Sequence, residues 1–204
     1  MNFQEAKTVI IETGREIHAR GWVPATSGNF SLRLDDGSIA ITVSGKDKSR
    51  LDESGLMRVD GQGRALEDKK ASAEALLHLS LYRRDQDIGA VAHTHSLNAA
   101  LVSMQPSTVV RVSGLELLKA FRGTESHENS LDIPVFGNNQ NIRALADEVE
   151  AHMQGNGQGH AYLIRGHGIY TWGRDMHECM RHLEALEFLL DYHRQSTQIR
   201  REHE

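Results

Sequence analysis

The chain has 204 residues, of which 39% are hydrophobic and 25% are charged, and its formal net charge is -5 at pH 7. These values are ordinary for a globular domain with its own core, and a negative charge without a basic stripe argues against a nucleic-acid-binding protein. The single cysteine, Cys179, excludes an intrachain disulfide and favours a reducing, cytoplasmic environment, with the thiol packed within a helix. We expect one domain over residues 1–204, with no signal peptide and no membrane-spanning segment.

The hydrophobic pattern predicts helices and strands that interleave, with hairpins early in the chain. Apolar residues at helical spacing predict helices at 3–20, from about 72, at 97–104, 114–121, about 138–153 and 176–199. Short apolar or alternating runs predict strands at 30–34, 39–43, 56–59, 88–92, 109–112, 133–136, 161–164 and 169–172. Ser72 is a candidate N-cap, and the glycine-rich run 155–159 is a predicted loop. The order of elements indicates a three-layer α/β/α or α+β sandwich around a mixed sheet.

Two histidines, His93 and His95, follow the apolar run 88–92. Alternate residues of a strand face the same side, so the two imidazoles can share one ion. The best third ligand is His167, which stands between two glycines after the apolar run 161–164. Three imidazoles and one open position would form a catalytic zinc site. With 12 histidines in the chain, a hydrogen-bonded core pair or a solvated loop remains an alternative.

Two turns of small residues are suited to binding an anion. Thr26-Ser27-Gly28-Asn29 precedes the first hairpin strand, and Ser44-Gly45-Lys46-Asp47-Lys48 follows the second, so the turns should lie side by side. Backbone N–H groups around a glycine form anion-binding nests, and a lysine adds positive charge. The helix start near Ser72 can also receive a phosphate. Taken alone, each turn is more simply explained as an ordinary connection.

Two glutamates are candidates for proton transfer. Glu116 has apolar neighbours, so it is either partly buried, with a raised pKa that suits proton transfer, or on the solvent face of its helix. Glu74 lies at a helix start, a position that the helix dipole favours for any acid. Helical spacing does not choose between these alternatives.

Together, these motifs carry a family resemblance that no single motif carries. In chain order they are Thr26-Ser27-Gly28-Asn29, Ser44-Gly45-Lys46, Ser72-Ala73-Glu74, His93-Thr94-His95 and Arg165-Gly166-His167-Gly168. The chain resembles the class II aldolase/adducin superfamily over nearly its whole length, which implies an α/β/α sandwich around a mixed, mainly antiparallel sheet. Within the superfamily, residues 114–141 resemble a dehydratase branch of methionine salvage. That resemblance implies a zinc enzyme that removes water from a five-carbon ketose phosphate.

The resemblance also implies roles for individual residues. One zinc ion per subunit would be bound by His93, His95 and His167. Glu116 matches the general acid/base of the dehydratase branch, whereas Glu74 stands where the aldolases keep theirs and where some dehydratases have cysteine. The phosphate and the rest of the substrate would be held by Gly28, Asn29, Ser44, Gly45, Lys46, Ser72 and Lys119, with Lys48 nearby.

The same resemblance implies a homotetramer with active sites near subunit contacts. One departure from the pattern is Ala73, since many aldolase-type members have a second serine there, and one phosphate-binding hydroxyl is therefore missing. Other activities stay open: an aldolase or a 4-epimerase acting on another sugar phosphate, or a non-catalytic scaffold like the adducin-type relatives. A further alternative is that the histidines form a pH-responsive contact between subunits.

Overall fold

An eight-stranded sheet forms the middle layer of the protein, whose computed structural model describes residues 1–156 and 159–202. The strands are β1 (Asn29–Arg33), β2 (Ile39–Thr42), β3 (Leu56–Val59), β4 (Ala90–Thr94), β5 (Val109–Ser113), β6 (Ser130–Phe136), β7 (Ala161–Ile164) and β8 (Gly168–Gly173). The α-helices are α1 (Phe3–Ala19), α2 (Ala75–Arg84), α3 (Leu97–Ser103), α4 (Ile142–Asn156) and α5 (Met176–Glu202). Short 3-10 helices lie at Lys48–Arg50, Glu53–Gly55 and Glu116–Ala120.

The strand order across the sheet is β3-β2-β1-β4-β8-β7-β6-β5. Neighbouring strands are antiparallel, except that β6 and β7 run parallel. Buried residues of α1, α3 and α5 belong to the hydrophobic cluster on one face, and those of α2 and α4 to the cluster on the other. Every residue of β4, β7 and β8 is buried, as expected for central strands covered on both faces. The predicted three-layer α/β/α sandwich around a mixed, mainly antiparallel sheet is confirmed.

Local sequence signals explain the ends of α1. Asn2 accepts a hydrogen bond from the backbone of Glu5, and the Glu5 carboxylate accepts one from the backbone of Asn2, which makes a reciprocal capping box. Gly21 follows the helix with φ +76°, and the Trp22 amide donates to the Ile17 carbonyl at 3.2 Å. The predicted helix over 3–20 is therefore observed with ends that differ by at most one residue.

The start of α2 differs from the prediction. The helix begins at Ala75 with Glu74 in the N-cap position, so Ser72 is not the N-cap. The residue before Ser72 still forms a β-bridge, and the Ser72 hydroxyl accepts a hydrogen bond from Asn29 Nδ2 at 3.3 Å. These contacts hold the backbone outside the helix for two residues beyond the predicted start.

Other observed helix boundaries also differ from the predicted ones. The helix predicted from 138 begins at Ile142, because the Asn141 side chain accepts the Ala144 amide at 3.2 Å and caps it there. The helix predicted at 114–121 is the 3-10 helix Glu116–Ala120. In the predicted loop 155–159, the first two residues belong to α4, and Gly157 and Gln158 lie outside the described residues.

The central strands place the candidate site. Strand β4 pairs with β1 on one side and β8 on the other, so Asn29, His93 and Tyr170 lie in one row across the sheet. Behind this row, Cys179 of α5 is wholly buried, which agrees with its predicted packing role. Among the residues described, no helix is both long enough and apolar enough to cross a lipid bilayer.

Candidate metal centre and active site

Three histidines converge at one end of the central strands. His93 lies in β4, His95 follows that strand, and His167 lies in the turn between β7 and β8. The Nε2 atom of His93 is 2.9 Å from that of His95 and 3.3 Å from that of His167. One ligand atom from each histidine and one oxygen of Glu74 all lie within 4.8 Å of one another. The structure thus brings together the three histidines that the sequence singled out and adds Glu74.

The hydrogen bonds of the rings leave nitrogen lone pairs facing each other. His93 Nδ1 donates to the Ile169 carbonyl at 3.0 Å, so its Nε2 carries the lone pair. His167 Nδ1 lies 3.3 Å from Asn138 Oδ1. Burial lowers the pKa of His93, and burial together with the nearby His167 lowers the pKa of His95 to about 4. Neutral imidazoles oriented by a second hydrogen bond are the metal-binding form of histidine.

The spacing of these nitrogens fits a divalent ion. Tetrahedral coordination with Zn–N bonds of about 2.0–2.1 Å puts ligand nitrogens roughly 3.3 Å apart. The two observed separations, 2.9 and 3.3 Å, are at or slightly below this value. Three lone pairs this close repel one another unless a cation lies between them, so the donor set fits a metal.

Glycines on both sides of His167 allow this approach. A Cβ on Gly168 would lie 2.0 Å from the Thr94 carbonyl oxygen, so only glycine lets β8 start this close to β4. Gly166 has φ +63°, and a Cβ there would also lie 3.0 Å from Met104 Sδ. The Gly-His-Gly motif therefore sets the position of His167 through backbone conformation and close strand packing.

Glu74 is directed at the histidines and makes no side-chain cap to its own helix. One carboxylate oxygen lies 2.9 Å from His167 Nε2, and the other accepts Asn29 Nδ2 at 2.7 Å. Burial acts to raise the pKa of Glu74, but its contacts with His167, His93 and the Asn29 amide together lower it. The carboxylate is therefore ionised beside the metal centre, where it can bind a cation or exchange a proton.

A buried hydrogen-bond chain that sequence reasoning missed supports Asn29 and Glu74. His78 of α2 is wholly buried, and its Nε2 donates to Asn29 Oδ1. Its Nδ1 is 2.7 Å from Ser31 Oγ, which is 2.8 Å from the Tyr82 hydroxyl. These bonds orient the Asn29 amide so that its NH₂ group faces Glu74. The sequence signal for this hydrogen-bond chain was weak: Asn29 and Ser31 alternate as polar residues in a strand, and His78 lies in a helix.

A cavity of about 380 Å³ opens over the metal centre. It is lined by the two small-residue turns, the start of α2 and the segment before α4. The predicted phosphate-binding residues among its lining are Gly28, Asn29, Ser44, Gly45 and Ser72. Asn138 and Gln140, from the stretch that resembles the dehydratase branch, also line it. Both anion-suited turns and the metal centre therefore share one cavity.

Comparison with known proteins places the chain in a family. The model of the class II aldolase and adducin N-terminal domain matches residues 8–193. The chain belongs to this family. It is 49% identical over 189 residues to a methylthioribulose-1-phosphate dehydratase of Methylococcus capsulatus, with 93% of each chain covered. It is 44% identical over 202 residues to one of Marinobacter nauticus, covering 98% of this chain and 97% of the relative.

Solved structures agree with this assignment. An L-fuculose-1-phosphate aldolase from Thermus thermophilus superimposes with a TM-score of 0.75 at 26% identity, covering 94% of this chain and 97% of the other. The class II aldolase fold therefore extends over nearly the whole chain, in agreement with the three-layer architecture.

Three predicted site residues lie away from both the histidine cluster and the cavity lining. Lys46 is exposed, and Glu116 and Lys119 are paired with each other on the 3-10 helix Glu116–Ala120. The Glu116 side chain is 71% exposed, and its hydrogen bond from Lys119 lowers its pKa. Of the two environments that the sequence allowed, Glu116 in the single chain therefore has the solvent-exposed one, and its pKa is lowered instead of raised.

Proposed function

We propose that this protein is a methylthioribulose-1-phosphate dehydratase of methionine salvage that binds one zinc ion per subunit through His93, His95 and His167. The observation that carries the proposal is the convergence of three imidazole nitrogens and the Glu74 carboxylate at the base of a cavity lined by anion-suited turns. Similarity to relatives with that name, over almost the whole chain, supports the choice of substrate. Residues 1–204 would form one domain, in the reducing cytoplasm that suits its buried free Cys179.

A divalent ion at the three histidines would supply Lewis-acid stabilisation of the negative charge that develops when a proton leaves the carbon next to the carbonyl. Neutral imidazole ligands leave the ion its full charge for this purpose. Zinc suits a set of imidazole donors, and iron, cobalt or manganese would be tolerated by the same donors.

The substrate phosphate would be held by the turns on the cavity wall. Gly28 and Gly45 have positive φ, at +75° and +74°, which is the conformation in which successive N–H groups form an anion nest. The hydroxyls of Ser44 and Ser72 would donate to the phosphate oxygens, and Asn29 would hold the Ser72 hydroxyl in place through its side-chain amide. Lys46, next to Gly45 but outside the cavity lining, would add positive charge. Binding energy from this remote group would hold the reacting carbons at the metal centre.

The substrate is a ketose phosphate with its carbonyl at C2 and hydroxyls on C3 and C4. The reaction removes a proton from C3 and a hydroxide from C4. A carboxylate takes the C3 proton, and the electrons of the C–H bond become those of the new C3–C4 double bond as the C4–O bond breaks. The proton passes to the leaving hydroxide, so that one water is released. The resulting enol at C3 then tautomerises to the 2,3-diketone, and no covalent nucleophile is needed.

Both glutamates would take part in this proton transfer. Glu74 lies at the metal centre of its own chain, 2.9 Å from His167 Nε2. Glu116 is exposed and lies outside the cavity lining of its own chain, so we propose that it acts in the cavity of a neighbouring subunit, with Lys119 beside it. This arrangement requires the homotetramer that the family resemblance implies. Exposed apolar side chains on α3 and α5, together with the residue after α3, offer surface for such contacts: Leu97, Leu101, Met104, Phe188 and Tyr192.

The experiment that tests the activity is a mass-spectrometric product assay. Metal-loaded protein is incubated with methylthioribulose 1-phosphate, beside a sample treated with a chelator. We expect the loss of one water, and no reaction in the chelated sample. Cleavage to two smaller carbonyl compounds would identify an aldolase, the activity for which Glu74 is the matching acid/base. Unchanged substrate with bound metal would contradict the proposed substrate.

The experiment that tests Glu116 is subunit mixing. Glu116→Gln and His95→Ala chains are each inactive alone, and they are co-expressed so that tetramers form at random. If Glu116 acts in a neighbouring subunit, about a quarter of the sites pair an intact Glu116 with an intact His95, and activity returns to that extent. If Glu116 acts only within its own chain, every site lacks one group and the mixture stays inactive.

A further inference from the structure

Lys48 is a buried lysine behind two of the turns that line the cavity, and it has no part in the metal centre or in the proton transfer described above. The residue is 1% exposed. Its Nζ donates to the Lys46 carbonyl oxygen at 2.6 Å and to the Thr26 carbonyl oxygen at 3.3 Å. Burial lowers the pKa of Lys48 to about 8, and the charge of Asp47 acts in the opposite direction. The group is therefore a cation at neutral pH, with backbone carbonyls as its acceptors.

The two carbonyls belong to different loops at the end of the cavity that the small-residue turns line, which we call the anion end. Thr26 lies in the loop before β1, and Lys46 in the loop after β2. The cavity-lining residues Gly28 and Gly45 follow or precede these carbonyls by one or two positions. One ammonium group thus joins the two loops whose small residues form that end of the cavity.

Among the described residues, no strand pairing joins the two loops at the point where Lys48 contacts them. β1 begins only at Asn29, and β2 ends at Thr42, so the sheet ladder does not extend to either carbonyl. Gly28 tolerates no side chain, since a Cβ there would lie 2.5 Å from Val23 Cγ1. An anion between these loops needs their N–H groups and hydroxyls at one fixed separation, because hydrogen bonds weaken steeply with distance and angle.

We propose that Lys48 is a positioning residue for phosphate binding: its ammonium group ties the two loops together at the separation that a phosphate requires and adds positive charge behind them. The inference rests on the proposed function in taking this end of the cavity as the phosphate site. Charge buried behind a binding wall acts strongly, because it is poorly screened by water. Lys48 would therefore act on the phosphate without touching it.

The contrast with its neighbours makes the test specific. Arg50 lies on the same 3-10 helix, Lys48–Arg50, and is exposed. Arg50→Met removes one positive charge from this segment without removing the buried link, so it is the matched control. Lys48→Met removes both the charge and the link at similar side-chain length, and Lys48→Gln keeps an amide donor without the charge.

Two measurements are made on the metal-loaded variants. Calorimetric titration with inorganic phosphate gives the affinity of the anion end, and steady-state kinetics with methylthioribulose 1-phosphate give KM and kcat. We expect Lys48→Met to weaken phosphate binding and to raise KM by about tenfold or more, with kcat at saturation within about threefold of the unmodified protein and metal content unchanged. Lys48→Gln should lie between Lys48→Met and Arg50→Met.

Phosphate affinity and KM of Lys48→Met within about twofold of Arg50→Met would overturn the proposal, as would a fall in kcat with KM unchanged. If Lys48→Met fails to fold, Lys48→Gln decides by the same twofold criterion. The proposed function fails separately: protein that binds inorganic phosphate through Lys48 but leaves methylthioribulose 1-phosphate unchanged retains the positioning role and loses the substrate.

Discussion

Glu74 and Glu116 are two ionised glutamates in opposite surroundings. The Glu74 side chain is 15% exposed and contacts His167 and Asn29, whereas that of Glu116 is 71% exposed and contacts Lys119. At Glu74, buried partners outweigh the effect of burial on the pKa, and at Glu116 one lysine three residues away lowers the pKa. The first environment is made by four separate parts of the chain, and the second by a single turn.

This difference shows what each region needs in order to act. The candidate metal centre is assembled within one chain, because β4 and the turn before β8 hold its histidines next to the start of α2. The Glu116 segment has no such surroundings in one chain, and a solvated carboxylate paired with lysine is a weak base. Four predictions test or refine the comparison, beginning with the largest effect.

His95→Ala should abolish both metal binding and turnover. The remaining two histidines leave an incomplete donor set, and the loss of a residue that only orients a metal ligand already costs about 10–100-fold in affinity. Metal content measured by mass spectrometry, together with the dehydratase assay, checks this. His177→Ala, at an exposed histidine of α5, is the control and should keep its metal. A fully loaded, active His95→Ala protein would contradict the three-histidine centre.

Glu74→Gln and Glu116→Gln should each lower kcat by about 10²–10⁴-fold, the usual contribution of a general acid/base. Glu116→Gln should leave metal content unchanged, since the residue lies away from the histidines, whereas Glu74→Gln should weaken metal retention as well. Steady-state kinetics and metal analysis of the same preparations separate the two. Glu128→Gln, an exposed glutamate of a nearby loop, is the control. Near-normal kcat in Glu116→Gln would remove that residue from the mechanism and leave Glu74 as the acid/base.

His78→Leu should lower kcat/KM by about 10–100-fold, as expected when a group that orients a metal-site residue is lost. The reason is that Asn29 loses the donor that turns its amide toward Glu74. The effect should shrink along the hydrogen-bond chain, so that Tyr82→Phe changes kcat/KM least. Kinetics and thermal unfolding are measured together. Equal losses of stability with unchanged kcat/KM in both variants would show that the chain is structural only.

Glu187→Gln should change the pH dependence of stability. Burial raises the pKa of Glu187 to about 7, with the nearby Ser96 and Asn98 side chains acting in the opposite direction. The native state then holds a proton that the unfolded state has lost, so stability falls as pH rises from the ordinary glutamate pKa to about 7 and stays lower above it. Glu187→Gln should remove about 1–3 kcal/mol of this loss.

Denaturant unfolding of Glu187→Gln at about pH 5 and about pH 8 measures this difference, with Glu184→Gln, an exposed glutamate of the same helix, as the control. An identical pH dependence in the two variants would mean that Glu187 ionises normally. The result extends the comparison to a third glutamate, one that is buried and whose pKa is raised.

Local sequence determined most of the fold. The capping box at Asn2, the glycine after α1 and the Asp-Gly turn of the first hairpin act within a few residues, so the pattern placed these elements almost where they are found. Strand–histidine spacing also predicted that His93, His95 and His167 would meet, because strand ends and a Gly-His-Gly turn leave few alternatives for their direction.

Tertiary structure alone decided which acids and bases belong to the site. Glu74 faces the histidines because Asn29 and His167 reach it from distant positions in the chain, and His78 supports it from inside the core. Lys48 and Lys46 are two residues apart, yet one is buried between loops and the other is exposed. Helical and strand periods report which face a residue occupies, but the protonation and reach of its side chain depend on groups that only folding brings near.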